Sequence, residues 1–251
     1  MLDWEPAATE LAGRNILITG AGTGIGRALA KAAAGLGATV ILVGPLVPEL
    51  EAVYDEITTA GGPEPMIHPM DFKEAEPLDF EAAAGGLYQA FGPIHGLVNN
   101  AAYLGPLSPL PHYEPELWDL VMRIDLRAPY LLTRACLPLL TAAEDASIVF
   151  LSDRVGRHGR AYWGAYGAAK AGLENLMQTL ADELEANTAV RVNSYDPGPV
   201  RTALRYSAYP AEDRAVLPAP EDVVRPLLYL LSPASRGITG RQWGPPDRNP
   251  A

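Results

Sequence analysis

The stretch that decides the fold is "NILITGAGTGIG", residues 15–26, in which a short apolar run leads into a glycine-rich turn. The run 15–19 predicts a buried strand, and the glycines at 20, 24 and 26 let the backbone turn tightly before a helix begins. Such a turn presents free backbone N–H groups and the positive end of a helix to a pyrophosphate. Strand, turn and helix together therefore predict dinucleotide binding, although a glycine triplet alone also occurs in ordinary strand-to-helix turns.

Outward from this turn, apolar strands alternate with amphipathic helices along the chain. Strands are predicted at 15–19, 39–44, 94–100, 147–152 and 190–198, and a weaker one, made doubtful by two prolines, at 64–71. Helices are predicted at 24–37, 48–62, 78–92, 116–140, 166–186 and 220–232, with a bend or break in the fourth at Pro129. This alternation predicts an α/β protein with a single Rossmann-fold domain over residues 1–251, built on a parallel, doubly wound sheet of about seven strands with helices on both faces.

Composition excludes several classes of function. The formal net charge of −11 disfavours nucleic acids and anionic membranes as partners, because binding to them relies on concentrated Lys and Arg. No window approaches the ~20 apolar residues that a membrane span requires, and residues 1–14 lack the pattern of a secretory signal, so the cytoplasm is expected. Four scattered histidines and the single Cys136 predict neither a metal site nor a disulfide.

A tyrosine and a lysine stand four residues apart in "SDRVGRHGRAYWGAYGAAK", residues 152–170. Residues at this spacing share one face of a helix, so Tyr166 and Lys170 can point into the same cleft. A lysine beside a phenol favours the phenolate, which lowers the pKa of the tyrosine from ~10 towards neutrality and makes it a usable acid or base. Taken alone, such a pair is also a common surface pairing.

Four motifs in this order resemble those of the short-chain dehydrogenase/reductase family, and the resemblance spans essentially the whole chain. They are "TGAGTGIG" (19–26), "NNAA" (99–102), "YGAAK" (166–170) and "DPGPVRT" (196–202), and the chain looks closest to bacterial oxidoreductases with no assigned substrate. The resemblance implies NAD or NADP as cofactor, with Tyr166 exchanging a proton with the substrate oxygen and Lys170 holding the nicotinamide ribose. It also implies a set of cofactor-binding residues: Gly20, Thr23, Gly24, Ile25, Gly26, Asp71 at the adenine, Asn99 supporting the sheet, Ala101, Lys170, Pro197, Gly198, Val200, and Thr202 at the carboxamide.

Two positions depart from the family pattern. Asp153 stands thirteen residues before Tyr166, where the family has a serine that donates a hydrogen bond to the reacting oxygen. An ionised aspartate only accepts, and losing such a donor costs about 100- to 1000-fold in rate. Ser152 can replace the donor only if the strand has already ended or bulges there, since neighbouring strand residues face opposite ways. Asp125 replaces an asparagine of the family's proton path, and two carboxylates would raise the pKa of both Tyr166 and Lys170.

The choice of cofactor is open in the sequence. An acidic residue after the second strand favours NAD, and a basic residue there or in the glycine turn favours NADP. Gly44 and Pro45 follow that strand and Thr23 lies in the turn, so neither rule is met. Pro45 stands where the resembling subgroup suggests an arginine, and it removes a ligand for a phosphate.

Two functions follow from these residues. The first is an NAD(P)-dependent oxidoreductase that moves a hydride between nicotinamide and a small-molecule carbonyl or secondary alcohol, with Asp153 kept neutral as a donor if it takes part. The alternative is a binding or regulatory protein whose catalysis is impaired by Asp153 and Asp125. The resemblance also implies a homodimer or homotetramer, formed through the helices that begin near Leu117 and Tyr166.

Overall fold

The computed structural model describes residues 4–245, and their core is one seven-stranded sheet. The strands are β1 (Asn15–Thr19), β2 (Thr39–Gly44), β3 (Met66–Pro69), β4 (Gly96–Asn99), β5 (Ala146–Leu151), β6 (Val190–Tyr195) and β7 (Gln242–Trp243). They lie in the order β3-β2-β1-β4-β5-β6-β7, and every neighbouring pair is parallel. This confirms the predicted parallel, doubly wound α/β architecture.

Helices cover both faces of this sheet. They are α1 (Gly24–Gly35), α2 (Val47–Thr59), α3 (Pro77–Phe91), α4 (Pro115–Met122), α5 (Ala128–Thr141), α6 (Gly164–Glu185), α7 (Ala203–Ala208) and α8 (Arg225–Leu231). One apolar core joins α3, α5 and α6 to strand residues such as Leu17, and the other joins α1, α2 and α8 to residues such as Ile18. Successive side chains of each buried strand therefore enter opposite cores, which explains the nearly continuous apolar runs in the sequence.

The prolines within β3 and at the start of α5 lie at positions where a missing backbone N–H is tolerated. The doubtful strand forms over Met66–Pro69 at one edge of the sheet, where a missing ladder hydrogen bond is tolerated. The irregularity predicted near Pro129 is present as a π-helical turn at Arg123–Arg127, between α4 and α5, but the backbone stays helical throughout, so the helix is not broken. Pro129, in the first turn of α5, has no N–H to donate, and the π-helical turn accommodates this loss. The short strand β7 was not located from the sequence.

The structure was searched for membrane-spanning helices and for clusters of metal-binding side chains. Among residues 4–245, no helix has both the length and the apolar character needed to cross a bilayer. Nor does this described region bring three or more His, Cys, Asp or Glu side chains together in a way that could hold a metal ion.

The glycine turn after β1 is closed by contacts that leave no space for a side chain. Gly20 and Gly24 have positive φ values of 64° and 54°. A Cβ on Gly26 would lie 2.2 Å from the carbonyl oxygen of Gly20 and 2.6 Å from Nδ2 of Asn100. The first turn of α1 thus packs directly on the turn that precedes it.

We expect Gly26→Ala to lower the free energy of unfolding by about 2–3 kcal/mol, because the new methyl group must displace backbone. The control is Gly85→Ala on the exposed side of α3, where the structure of residues 4–245 leaves open space around the added Cβ. That change should stabilise the protein by up to about 1 kcal/mol through helix propensity. Urea unfolding midpoints of the two variants and the parent measure both effects, and a Gly26→Ala protein as stable as its parent would contradict the packing.

Candidate active site

A cleft of about 240 Å³ opens at the carboxyl ends of β1, β4, β5 and β6. In parallel α/β sheets this edge is where ligands bind. Thirteen of the residues singled out in the sequence line it: Gly20, Thr23, Gly24, Ile25, Ala101, Ser152, Asp153, Tyr166, Lys170, Pro197, Gly198, Val200 and Thr202. The glycine turn and the tyrosine–lysine pair, which lie far apart in the sequence, therefore share one cavity.

Four of the singled-out residues do not line the cleft: Gly26, Asp71, Asn99 and Asp125. Gly26 lies behind the glycine turn, against Gly20. Asn99 is buried and donates to Oγ1 of Thr133 at 3.1 Å, an arrangement that suits the predicted role in supporting the sheet. Asp71 follows β3, accepts from the backbone N–H of Lys73 at 2.9 Å, and lines a separate groove between β3 and α3. Its contact with an adenine stays a prediction.

Asn100 is a site residue that the sequence analysis missed. Its amide Nδ2 donates to the carbonyl oxygens of Thr19 at 2.8 Å and Gly20 at 3.3 Å. Oγ1 of Thr19 in turn accepts from the backbone N–H groups of Asn100 at 2.9 Å and Ala101 at 3.0 Å. These bonds fix the glycine turn to the end of β4. The second asparagine of "NNAA" was the available signal.

The glycine turn fits a pyrophosphate. Gly24 faces Thr202, and a Cβ on Gly24 would lie 3.5 Å from Cγ2 of that threonine. On the opposite wall, Gly198 has a positive φ of 70°, and its N–H donates to Oδ1 of Asp196 at 2.7 Å. Small residues on both walls leave the backbone accessible to a phosphate group, which is the use that such turns serve.

The tyrosine and lysine both point inward from α6. Tyr166 and Lys170 are 5% and 2% exposed. Nζ of Lys170 donates to the carbonyl oxygen of Leu151, the last residue of β5, at 2.8 Å, and lies 5.4 Å from the centre of the Tyr166 ring. Trp163 packs edge-on against that ring, with the ring centres 5.8 Å apart. The surface pairing that the sequence left open is therefore wrong.

The phenol of Tyr166 resists ionisation in this structure. Burial raises its pKa well above 10, and the negative charges of Asp153, Asp125 and Asp196 raise it further. The expectation that the pKa of the tyrosine is lowered towards neutrality is wrong, because desolvation, the three carboxyl groups and a hydrogen bond to Asp153 all raise it. The expectation that the two substituted aspartates would raise it is confirmed.

Asp125 lies behind Lys170 instead of lining the cleft. It is completely buried in the π-helical turn, and its Oδ1 accepts from the backbone N–H of Tyr103 at 2.7 Å. Its Oδ2 has no hydrogen-bond partner within residues 4–245. Burial raises the pKa of Asp125 to about 7, while the charge of Lys170 and the bond from Tyr103 oppose that rise. The carboxyl group is therefore partly protonated at neutral pH.

Ser152 and Asp153 both line the cleft, and β5 ends at Leu151, one residue earlier than predicted. The backbone stays extended beyond that end, with φ −150° and ψ 150° at Asp153, so the two side chains still face different ways. Asp153 begins a 3-10 turn over Arg154–Gly156, and its Oδ1 accepts from the N–H of Val155 at 3.0 Å. Oγ of Ser152 is buried and, in the described part of the chain, makes no hydrogen bond. Because this hydroxyl is out of contact with solvent, it reaches a substrate oxygen in the cleft only if the side chain of Ser152 rotates.

A carboxylate lies beside the glycine turn. Glu49, in the first turn of α2, is placed so that a Cβ on Gly22 would lie 2.8 Å from its Cβ and 3.0 Å from its Oε2. Pro45, directly after β2, is exposed. Sequence reasoning looked for an acidic residue only at the end of the strand and therefore missed Glu49, which reaches the turn from one helical turn further on.

This cleft defines a class of protein, the dinucleotide-dependent oxidoreductases of the Rossmann type, and comparison with known proteins gives the family. The family model for short chain dehydrogenases matches residues 14–213. The chain belongs to the short chain dehydrogenase family.

Several relatives and solved structures match along nearly the full length of both chains. The chain is 38% identical to the uncharacterized oxidoreductase YciK of Escherichia coli (strain K12), with 99% of this chain and 98% of the relative covered. Among solved structures, a short chain dehydrogenase from Pseudomonas syringae is 45% identical with a TM-score of 0.94, covering 97% of this chain and 99% of the other. One from Shigella flexneri 2a, solved in complex with NADP, is 39% identical with a TM-score of 0.92, covering 95% and 99%.

The raised pKa of Asp125 predicts a pH-dependent cost to stability. A buried carboxyl whose pKa rises from 3.8 to about 7 stabilises the folded state at low pH, and this contribution is lost as the pH rises towards 7. Between pH 5 and pH 8, Asp125→Asn should therefore gain about 2–3 kcal/mol of unfolding free energy relative to the parent. Urea denaturation at several pH values measures this gain.

The matched control is Asp182→Asn on the exposed side of α6, which should follow the parent at every pH. If Asp125→Asn shows the same pH profile as Asp182→Asn, then Asp125 is ionised throughout this range and the argument for its partly protonated state fails.

Proposed function

We propose that this protein is an NAD(P)-dependent oxidoreductase that transfers a hydride between nicotinamide and the carbon of a carbonyl or secondary alcohol. The observation that carries the proposal is the shared cavity, in which a buried phenol and its neighbouring ammonium face the glycine turn. The raised pKa of Tyr166 further favours the direction of carbonyl reduction, because a phenol that stays protonated is a ready acid and a poor base.

Each polar residue of the cleft has its own role in the proposed reaction. The bound cofactor supplies the hydride in the reductive direction. The hydroxyl of Tyr166 gives its proton to the substrate oxygen as negative charge develops there. Lys170, fixed by the carbonyl of Leu151, stabilises the phenolate that remains. Asp153 stands where the family has a serine that donates to this oxygen, and the hydroxyl of Ser152 is buried and must rotate before it can donate there.

Asp153 opposes this chemistry and supports the second candidate, a binding or regulatory protein that keeps the fold and has lost efficient turnover. An ionised carboxylate in the cleft repels the charge that develops on the substrate oxygen, and it holds the pKa of Tyr166 high. Each such charge at ~4 Å is worth about 1–4 kcal/mol, depending on the local dielectric. The size of the effect of Asp153 on the rate therefore decides between the two candidates, a slow reductase and a protein without useful turnover.

We expect the enzyme to act on a small molecule in the cytoplasm. We also expect it to form a homodimer or homotetramer. A groove between α4, the π-helical turn and α6, lined by Met122, Leu126, Tyr130 and Leu176, leaves apolar surface on the helices expected to pair. Light scattering of the purified protein tests the association, since a mass of one chain would contradict it.

Cofactor binding tests the first half of the proposal without requiring turnover. We expect NADH to bind at least ~10-fold more tightly than NADPH, because the carboxylate of Glu49 repels the additional phosphate and Pro45 supplies no cation. Quenching of tryptophan fluorescence measures both affinities.

Glu49→Gln should reduce the preference for NADH over NADPH. Glu51 is an exposed residue on the same helix, and Glu51→Gln should leave that preference unchanged. Equal binding of the two cofactors by the parent would remove Glu49 as the discriminator. If neither cofactor binds, the proposed function is wrong.

Asp153→Ser tests whether the carboxylate limits turnover. The substitution removes a negative charge and restores a donor, so we expect the rate of carbonyl reduction to rise by about 10- to 100-fold, while Tyr166→Phe abolishes it. The measurement is NADH oxidation on a panel of aldehydes and ketones. An unchanged or lower rate in Asp153→Ser would mean that a protonated Asp153 already donates. No turnover by either the parent or Asp153→Ser would favour the binding protein.

A further inference from the structure

A second cavity, of about 280 Å³, adjoins the active-site cleft and is formed by α7 and the chain that follows it, residues 201–217. Thr202, Ala203 and Arg205 line both cavities. A molecule whose reacting carbon lies at Tyr166 can therefore extend past α7 into this second space. We call it the arginine pocket, after Arg201, Arg205 and Arg214, which line it.

The charges of the arginine pocket are not balanced. Glu212 is the acidic residue among those that line it, and it forms a two-pronged ion pair with Arg205, with N–O distances of 2.7 and 2.6 Å. Arg201 and Arg214 are exposed, and neither forms an ion pair with an acidic side chain in the described part of the chain. Two guanidinium groups thus remain uncompensated beside the active-site cleft.

This imbalance contrasts with the rest of the surface. The chain carries a net charge of −11, and arginines elsewhere face glutamates: Arg27 pairs with Glu56, Arg123 and Arg127 pair with Glu76, and Arg134 pairs with Glu81. An anionic ligand is repelled by most of this protein. The arginine pocket is a local positive field within a negative one, which is the arrangement that attracts an anion to one place.

Aromatic stacking holds two of the arginines in place. The guanidinium carbon of Arg214 lies 3.5 Å from the ring centre of Tyr206, and that of Arg205 lies 3.8 Å from the ring centre of Tyr209. Stacking uses the face of a guanidinium group and leaves its N–H groups, which lie in its plane, free to donate. A fork of this kind matches the two oxygens of a carboxylate or a phosphate and loses little entropy when it binds.

We infer that the substrate of this enzyme carries an anionic group, which binds Arg201 and Arg214 in the arginine pocket while its carbonyl group lies at Tyr166. The inference rests on the proposed function and adds the substrate class to it, an oxo acid or an oxo phosphate ester. Arg205 serves as the wall between the two cavities, held by Glu212.

Matched substrates test the inference through turnover. For each of several oxo acids, kcat/KM is compared with that of the corresponding neutral amide, and glyceraldehyde 3-phosphate is compared with glyceraldehyde. We expect the charged member of a pair to be favoured by about 10- to 100-fold, chiefly through KM, and less so at high salt. Arg201→Ala/Arg214→Ala should bring the ratio close to one, chiefly by lowering kcat/KM for the charged member. Arg134→Ala, at an exposed side chain of α5, is the control and should keep the parent's ratio.

Direct binding gives a measurement that does not depend on catalysis. Calorimetric titration with succinate and with inorganic phosphate shows which anion the pocket prefers, and the affinity should fall at least 5-fold in the double variant. The inference is overturned if neither anion binds the parent, or if the double variant binds them equally well. A third outcome separates the two proposals. If the parent turns over no carbonyl compound but binds the anion, and the double variant does not bind it, the proposed function is wrong and the anion site is supported.

The same variants separate a substrate site from a cofactor site. If the two arginines bind substrate, the double variant keeps the parent's affinity for NADH within about 2-fold. A large loss of NADH affinity, together with an unchanged preference for charged substrates, would assign the arginines to the cofactor's own phosphates and overturn the inference.

Discussion

The hydrogen bond from Lys170 to the carbonyl of Leu151 is the contact on which the candidate site depends. It draws α6 onto the carboxyl end of β5 at 2.8 Å, which brings Tyr166 opposite Ser152 and Asp153. A lysine that is 2% exposed must find partners for its charge inside the protein, because burying it unpaired would cost several kcal/mol. Here those partners are one backbone carbonyl and the nearby carboxyl of Asp125.

Asp125 gives this arrangement a variable charge. With the carboxyl protonated, Lys170 is the nearest full charge behind Tyr166, and it favours the phenolate that proton donation leaves. With the carboxyl ionised, the two opposite charges largely cancel and the phenolate loses that support. A pKa of about 7 places the change at neutral pH, so the electrostatic support for Tyr166 weakens as the solution becomes more alkaline. An asparagine in place of Asp125 carries no charge, so the electrostatic effect of Lys170 on Tyr166 would be the same at every pH in this range.

What the sequence could predict was local along the chain. The glycine turn, the tyrosine–lysine spacing and the alternation of strands and helices depend on neighbouring residues, and all three predictions gave the right elements. Features that depend on contacts through space were missed: Glu49 reaches the glycine turn from α2, Asn100 fixes the end of β1 from β4, and β7 has two residues and pairs only with β6. The sequence also did not decide which of Ser152 and Asp153 faces the reacting oxygen, because this depends on the backbone after β5, where Asp153 stays extended and the hydroxyl of Ser152 is buried.

The two kinds of charge around the cleft act together on the orientation of a substrate. Asp153 repels an anionic group from the reacting centre, and Arg201 and Arg214 attract it on the other side of Arg205. A molecule with one anionic end and one neutral carbonyl end is therefore turned so that the carbonyl faces Tyr166. Selectivity of this kind relies on repulsion as much as on attraction. On this view the carboxylate of Asp153 weakens proton donation and, in return, excludes the reversed binding mode, which a serine in its place would not oppose.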